Sequence, residues 1–101
     1  MKAKEYYAKY GEQLKDKEAR VEAMHSMTDD LVDEFFDLVK KRGVKTNRGV
    51  MACVNEINNK WNAIAAHFNP PVIRRNAFQE RMHAIIGLSK EEADKIRKGK
   101  A

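Results

Sequence analysis

Four asparagines, Asn55, Asn58, Asn59 and Asn62, crowd into one short stretch of this chain. Asparagine is a poor helix former, because its amide competes for backbone hydrogen bonds. Yet the stretch has helical periodicity, and a merely solvated helix face is more cheaply built from Glu, Lys and Gln. At about 100° per residue, Arg48, Ala52, Asn55, Asn59, Asn62 and Ala66 form one stripe, with Asn58 nearer the core edge. Such a stripe supports two chemistries. Asparagine amides can read adenine edges in a major groove, with nearby cations holding phosphates. Uncharged amides beside small alanines can also pack closely, with hydrogen bonds, against another helix or another chain.

Cations for the first chemistry are at hand. Lys40, Lys41, Arg42 and Lys45 precede Arg48, and Arg74 and Arg75 follow a Pro70-Pro71 pair. All six are candidate phosphate contacts. Against them stands an acidic block, Asp29, Asp30, Asp33, Glu34 and Asp37. Residues 21–38 carry six acidic and no basic groups, and residues 39–50 five basic and no acidic ones. A uniform polyanion-binding arm would not alternate in this way.

Catalytic and metal chemistry find little support. His25, His67 and His83 do not share ligand spacing, and no Glu-x-x-His pair suggests a di-metal helical site. Cys53 is the sole cysteine. His67 lies fourteen residues on along the same helix, about 21 Å away by the helical rise, and cannot activate it. No acid, base and nucleophile can be assembled, so no enzymatic activity is predicted. Nothing calls for a metal, a cofactor or a small-molecule substrate.

The elements that must position these residues are helical. The chain has 101 residues, 43% hydrophobic and 35% charged, enough for a single domain over 1–101 with a modest core. A first helix begins near Ala3, with Tyr7, Tyr10, Leu14 and Val21 on one face, Gly11 as a potential break, and Tyr6 toward solvent. Thr28 reads as the N-cap of a second helix over 29–42, with acid in its first turn, base in its last, and Gly43 as its left-handed terminator. A central helix follows at about 47–68, capped by Thr46 or Asn47. Its seam is Val50, Val54, Ile57, Trp61, Ile64 and Phe68, and Pro70 stops it. Asn76 with Gln79 reads as a capping box for a fourth helix, whose apolar face is Phe78, Met82, Ile85 and Ile86. Ser89 and Glu92 cap a short fifth helix anchored by Ile96, and residues 98–101 are expected to fray. The predicted core adds Leu31, Phe35 and Leu38.

The fold class is therefore all-α, a small helical bundle of four to five helices. The order of helix 29–42, turn 43–46 and helix 47–68 resembles a helix-turn-helix unit. The lone cysteine, the lack of a leader-like apolar stretch and the lack of any long uncharged run predict a cytoplasmic protein away from membranes. The leading functional expectation is a non-enzymatic protein-interaction module of oligomer, adaptor or inhibitor type. It would use Arg48, Asn55, Asn59 and Asn62 on the polar face of the central helix. The alternative is a nucleic-acid-binding protein using the same face for base readout.

Overall fold

The structure is a computed structural model that describes residues 1–86. The expected fifth helix and the 98–101 tail lie outside the described residues. Within them the protein is all-α, with helices α1 (Ala3–Lys15), α2 (Arg20–Arg42), α3 (Asn47–Ala65) and α4 (Ala77–Ile85). Helices α1, α2 and α3 pack against one another, and α4 lies on α3. No described helix is long and apolar enough to cross a membrane.

Helix α1 runs through Gly11 without a break. Its buried face is Tyr6, Tyr10 and Leu14, at spacings of four. Tyr7, expected in that role, is half-buried and lies against the rings of His67 and Phe68. Tyr6, expected to face solvent, is 1% exposed, and Val21 is exposed. The first helix stops at Lys15. An Asx turn follows, in which the Glu18 amide donates to Asp16 Oδ1 (3.0 Å), and Arg20 Nε donates to the free Leu14 carbonyl (2.8 Å).

Helix α2 starts at Arg20, about two and a half turns earlier than predicted. Thr28 is no N-cap: it lies buried within the helix, and its hydroxyl donates to the Met24 carbonyl four residues back (2.7 Å). Ala23, Met27, Leu31 and Phe35 face the core. The helix ends as expected, with Gly43 at φ +60°. Gly43 N–H donates to Lys40 O, and Val44 N–H to Val39 O, a Schellman termination.

Helix α3 is the central strut, capped by Thr46, whose Oγ1 accepts the Gly49 amide (3.0 Å). It ends at Ala65, three residues short of the predicted 68, and a tight turn carries Phe68 back into the core. Cys53, Val54, Ile57, Trp61 and Ile64 join Phe68, Ile73, Phe78 and Met82 in one continuous apolar cluster with α1 and α2. Three predicted core residues differ. Leu38 and Val50 are half-buried, and Ile85 is 53% exposed because only Phe78 and Met82 of α4 face α3.

Candidate functional site

The start of α4 explains most of the asparagine stripe. Asn76 adopts a left-handed backbone (φ 63°) and makes no side-chain cap to its own helix, so the expected Asn76–Gln79 capping box does not form. Its side chain is engaged by α3 instead. Asn76 Oδ1 accepts from Asn58 Nδ2 (2.9 Å) and Asn62 Nδ2 (2.8 Å), and the Asn76 amide donates to Asn62 Oδ1 (2.9 Å). The Gln79 amide donates to Asn58 Oδ1 (3.1 Å), and Gln79 Nε2 donates to Asn55 Oδ1 (2.5 Å). A helix start leaves backbone N–H groups without intrahelical acceptors. Here two α3 carboxamides supply acceptors at Asn76 and Gln79 while their Nδ2 groups donate to Asn76. Only a group carrying both an acceptor and a donor serves both needs, which is why asparagine stands here rather than Asp or Lys.

The predicted interaction residues are thereby divided. Asn62 engages both its amide atoms inside the molecule, and Asn55 its Oδ1. Asn58, which the wheel placed beside the stripe, is 4% exposed and belongs to the network. Asn59 is exposed with no hydrogen-bonding partner among the described residues, and so is Arg48 at the other end of α3. The informative signal was the 55-58-62 spacing together with a second amide pair at Asn76 and Gln79.

The predicted phosphate contacts divide as well. Arg42 pairs with Glu56 (2.7 Å). Arg74 forms a two-pronged pair with Glu80 (2.9 and 2.5 Å), and its carbonyl accepts the Trp61 indole N–H (2.8 Å). Lys40, Lys41, Lys45, Arg48 and Arg75 are exposed and have no ion-pair partner among the described residues.

The outer side of α3 carries a groove of about 800 Å³, between the helix and the 68–75 segment. Asn59, Asn62, Ala63 and Ala66 form one wall, and Phe68, Pro71, Ile73, Arg74 and Arg75 the other. The alanines leave it concave. No acidic residue lines it, while Arg74, Arg75, Asn59 and Asn62 do, with the Arg74 guanidinium held by Glu80 and the Asn62 amide by Asn76. A smaller cleft of about 310 Å³ between α2 and α3 contrasts with it, being lined by Glu34, Asp37, Lys41, Glu56 and Lys60 beside Leu38 and Ile57. Burial there opposes ionisation of Glu34. The N-terminal ammonium and Lys60 (2.9 Å) outweigh it and hold the carboxyl below its ordinary value.

The acidic block is split by direction. Asp30 turns inward: it accepts from the Tyr10 hydroxyl (2.5 Å) and from Lys9 (3.2 Å). The Tyr10 bond is the main reason its pKa is lowered. Asp29, Asp33 and Asp37 face solvent. Buried Tyr6 and Tyr10 offer no stacking face to a base. Cys53 is fully buried, so its thiol is closed to substrate. No group of three His, Cys, Asp or Glu side chains stands close enough to hold a metal among the described residues. Comparisons with protein-family models, with curated proteins and with solved structures returned no match to this chain.

Proposed function

We propose that this protein is a non-enzymatic protein-interaction module. It binds through the part of the α3 polar face that the fold leaves unused, namely Asn59, Ala63 and Ala66 with the facing groove. The observation that carries this reading is the groove's lining, the apolar Ala63, Ala66, Phe68, Pro71 and Ile73 beside Arg75 and Asn59, which have no partner among the described residues, with no acidic residue in the lining. The matching ligand is a segment of a partner protein that presents an apolar side chain next to a carboxylate. Burying one Leu or Phe side chain contributes about 1.5–3 kcal/mol, and a charge-assisted bond to Arg75 about 1.5–3 kcal/mol. Those two contacts sum to about 3–6 kcal/mol before the cost of association, so a single-anchor peptide should bind in roughly the millimolar range or more weakly, and tighter binding needs further contacts along the groove. In this reading Asn55 and Asn62 are the frame that holds the groove's wall, and the buried free thiol of Cys53 suits a cytoplasmic setting.

The test is selection of a random peptide display library on the immobilised full chain. Selected sequences should share an apolar anchor flanked by Asp or Glu. Their binding should shift the emission of Trp61, which is bonded to Arg74 on the groove wall, and fall on Arg75→Glu and on Ala63→Arg. Selection of no peptides, or of peptides indifferent to both substitutions, refutes the reading.

One observation favours a second reading. Lys40, Lys41, Lys45 and Arg48 gather around the α2–α3 turn without ion-pair partners among the described residues. That corner could hold a nucleic-acid backbone, but Asn55 and Asn62 are committed elsewhere, so binding there would be sequence-independent. Anisotropy of labelled duplex and single-stranded DNA and RNA tests it. Four phosphate contacts would give a log–log salt slope of about −3 to −4, and no binding at low salt refutes it.

A further inference from the structure

A helix starting at residue 29 would place the acid of its first turn at the positive end of the helix dipole. With α2 starting at Arg20, Asp29, Asp33 and Asp37 stand deep in the helix, where the N-terminal dipole has faded. They also lack ion-pair partners among the described residues. On the same outer face Phe36 is 55% exposed, touching only the edge of Phe35 among the aromatic rings. Half-buried Val32 and Val39 flank Phe36 on one side, and exposed Asp29, Asp33 and Lys40 flank it on the other.

We infer that two copies of this chain associate through their α2 helices, antiparallel, with Phe36 at the two-fold axis. The argument is one of complementarity. A two-fold perpendicular to the helices keeps like flanks together, so valines meet valines and the charged flank meets the charged flank. By the helical rise, Asp33 and Asp29 lie about 4.5 and 10.5 Å before Phe36, and Lys40 about 6 Å after it. Antiparallel pairing therefore sets each Lys40 between the Asp33 and Asp29 levels of the other copy. Parallel pairing would set the charged flank against the valines and Lys40 level with Lys40. The charge order along α2 thus selects one orientation, and the antiparallel dipoles favour it too.

The test is sedimentation equilibrium of the full chain across a range of concentrations. Wild type should form a concentration-dependent dimer. Because each substitution enters a two-fold interface twice, Phe36→Ala should weaken it by about 100-fold. Lys40→Glu should weaken it by about tenfold or more, and more so at low salt. Adding Asp29→Lys and Asp33→Lys to Lys40→Glu should bring dimerisation back to within about threefold of wild type. All these positions are exposed or on the helix surface, and unchanged far-UV circular dichroism confirms that each variant is folded. A wild-type chain monomeric up to about 1 mM, where only very weak association is missed, overturns the proposal. So does a dimer indifferent to Phe36→Ala, or a triple reversal that does not recover association.

Discussion

The four asparagines of α3 should differ sharply when each is replaced by alanine. Every replacement gains helix propensity, about 0.5 kcal/mol. Against that common gain stand different losses. Asn58→Ala removes the bond to Asn76 and strips the Gln79 amide of its acceptor. One lost bond costs about 1 kcal/mol, and a half-buried N–H left without an acceptor about 1–3 kcal/mol. The net effect should be a loss of about 2–3 kcal/mol. Asn62→Ala also removes two bonds, but water reaches that site, so the loss should be about 1–2 kcal/mol. Asn55 holds only the Gln79 side chain and should lose about 0.5 kcal/mol or less. Asn59 holds no partner among the described residues, so Asn59→Ala should stabilise by up to about 0.5 kcal/mol. Urea denaturation followed by circular dichroism and by Trp61 emission reads all four. Trp61 is bonded to the Arg74 carbonyl and stacked over Phe78, so it reports on α4. The Asn58 loss corresponds to a fall of about 10 °C or more in Tm for a chain of this size. If Asn58→Ala and Asn59→Ala fall within about 0.5 kcal/mol of each other, the network does not secure α4 and the division of the stripe is wrong.

Two further outcomes follow from the turn and from the carboxylates. Gly43→Ala should cost about 1 kcal/mol, because alanine resists the φ of +60°. Gly49→Ala should also destabilise, by about 1–2 kcal/mol, although alanine is the better helix former. Its Cβ would stand 2.7 Å from Val44 Cγ1 and 3.3 Å from the capping Thr46 Oγ1. Urea midpoints check both. The Asp30–Tyr10 bond sets a pH dependence at both ends. Asp30 is lowered from its ordinary 3.8 by the Tyr10 bond, so its contribution is present above that value and is lost as pH falls through the folded pKa. Tyr10 is raised from 10.0 by burial first and by Asp30 next, so its contribution is present below 10.0 and is lost as pH rises through the folded pKa. Tyr10→Phe should therefore flatten both the acid and the alkaline limbs of a Tm-against-pH profile. A variant whose limbs match wild type refutes the coupling.

What was legible in the sequence was written in local chemistry. Gly43 after three basic residues, Thr46 before α3, and the Val54-Ile57-Trp61-Ile64 seam each depend on neighbours within a turn or two, and each is present. The errors arose where two local readings fit equally well. Tyr6-Tyr10-Leu14 and Tyr7-Tyr10-Leu14 are both valid helix faces, and only the docking of α1 on α2 and α3 chooses the first. Thr28-Asp29-Asp30 carries the composition of a helix start, but the preceding Arg20–Met27 segment is itself helical, and the threonine hydroxyl found the Met24 carbonyl. Asn76–Gln79 likewise looks like a capping box. Its failure was invisible because the competing partners, Asn58 and Asn62, lie on another helix.

The same distinction bears on where function should be sought. A polar residue that is costly to its helix needs a reason, and for Asn55, Asn58 and Asn62 the reason is α4. Asp30 and Glu34 are likewise explained by Tyr10, Lys9, Lys60 and the N-terminal amine. Asn59 has no such reason. It lowers the helix propensity of α3 by about 0.5 kcal/mol relative to alanine and returns no hydrogen bond among the described residues, yet it sits on the wall of a groove whose lining includes Arg75 and no acidic residue. Phe36 poses the same question on α2, as a large aromatic ring more than half exposed among charges of ordered sign that have no ion-pair partner among the described residues. Solvent alone rewards neither residue. An external partner at the α3 groove and a second copy at α2 would each convert such a local cost into binding, so substitutions at Asn59 and Phe36 should change association while leaving folding nearly untouched.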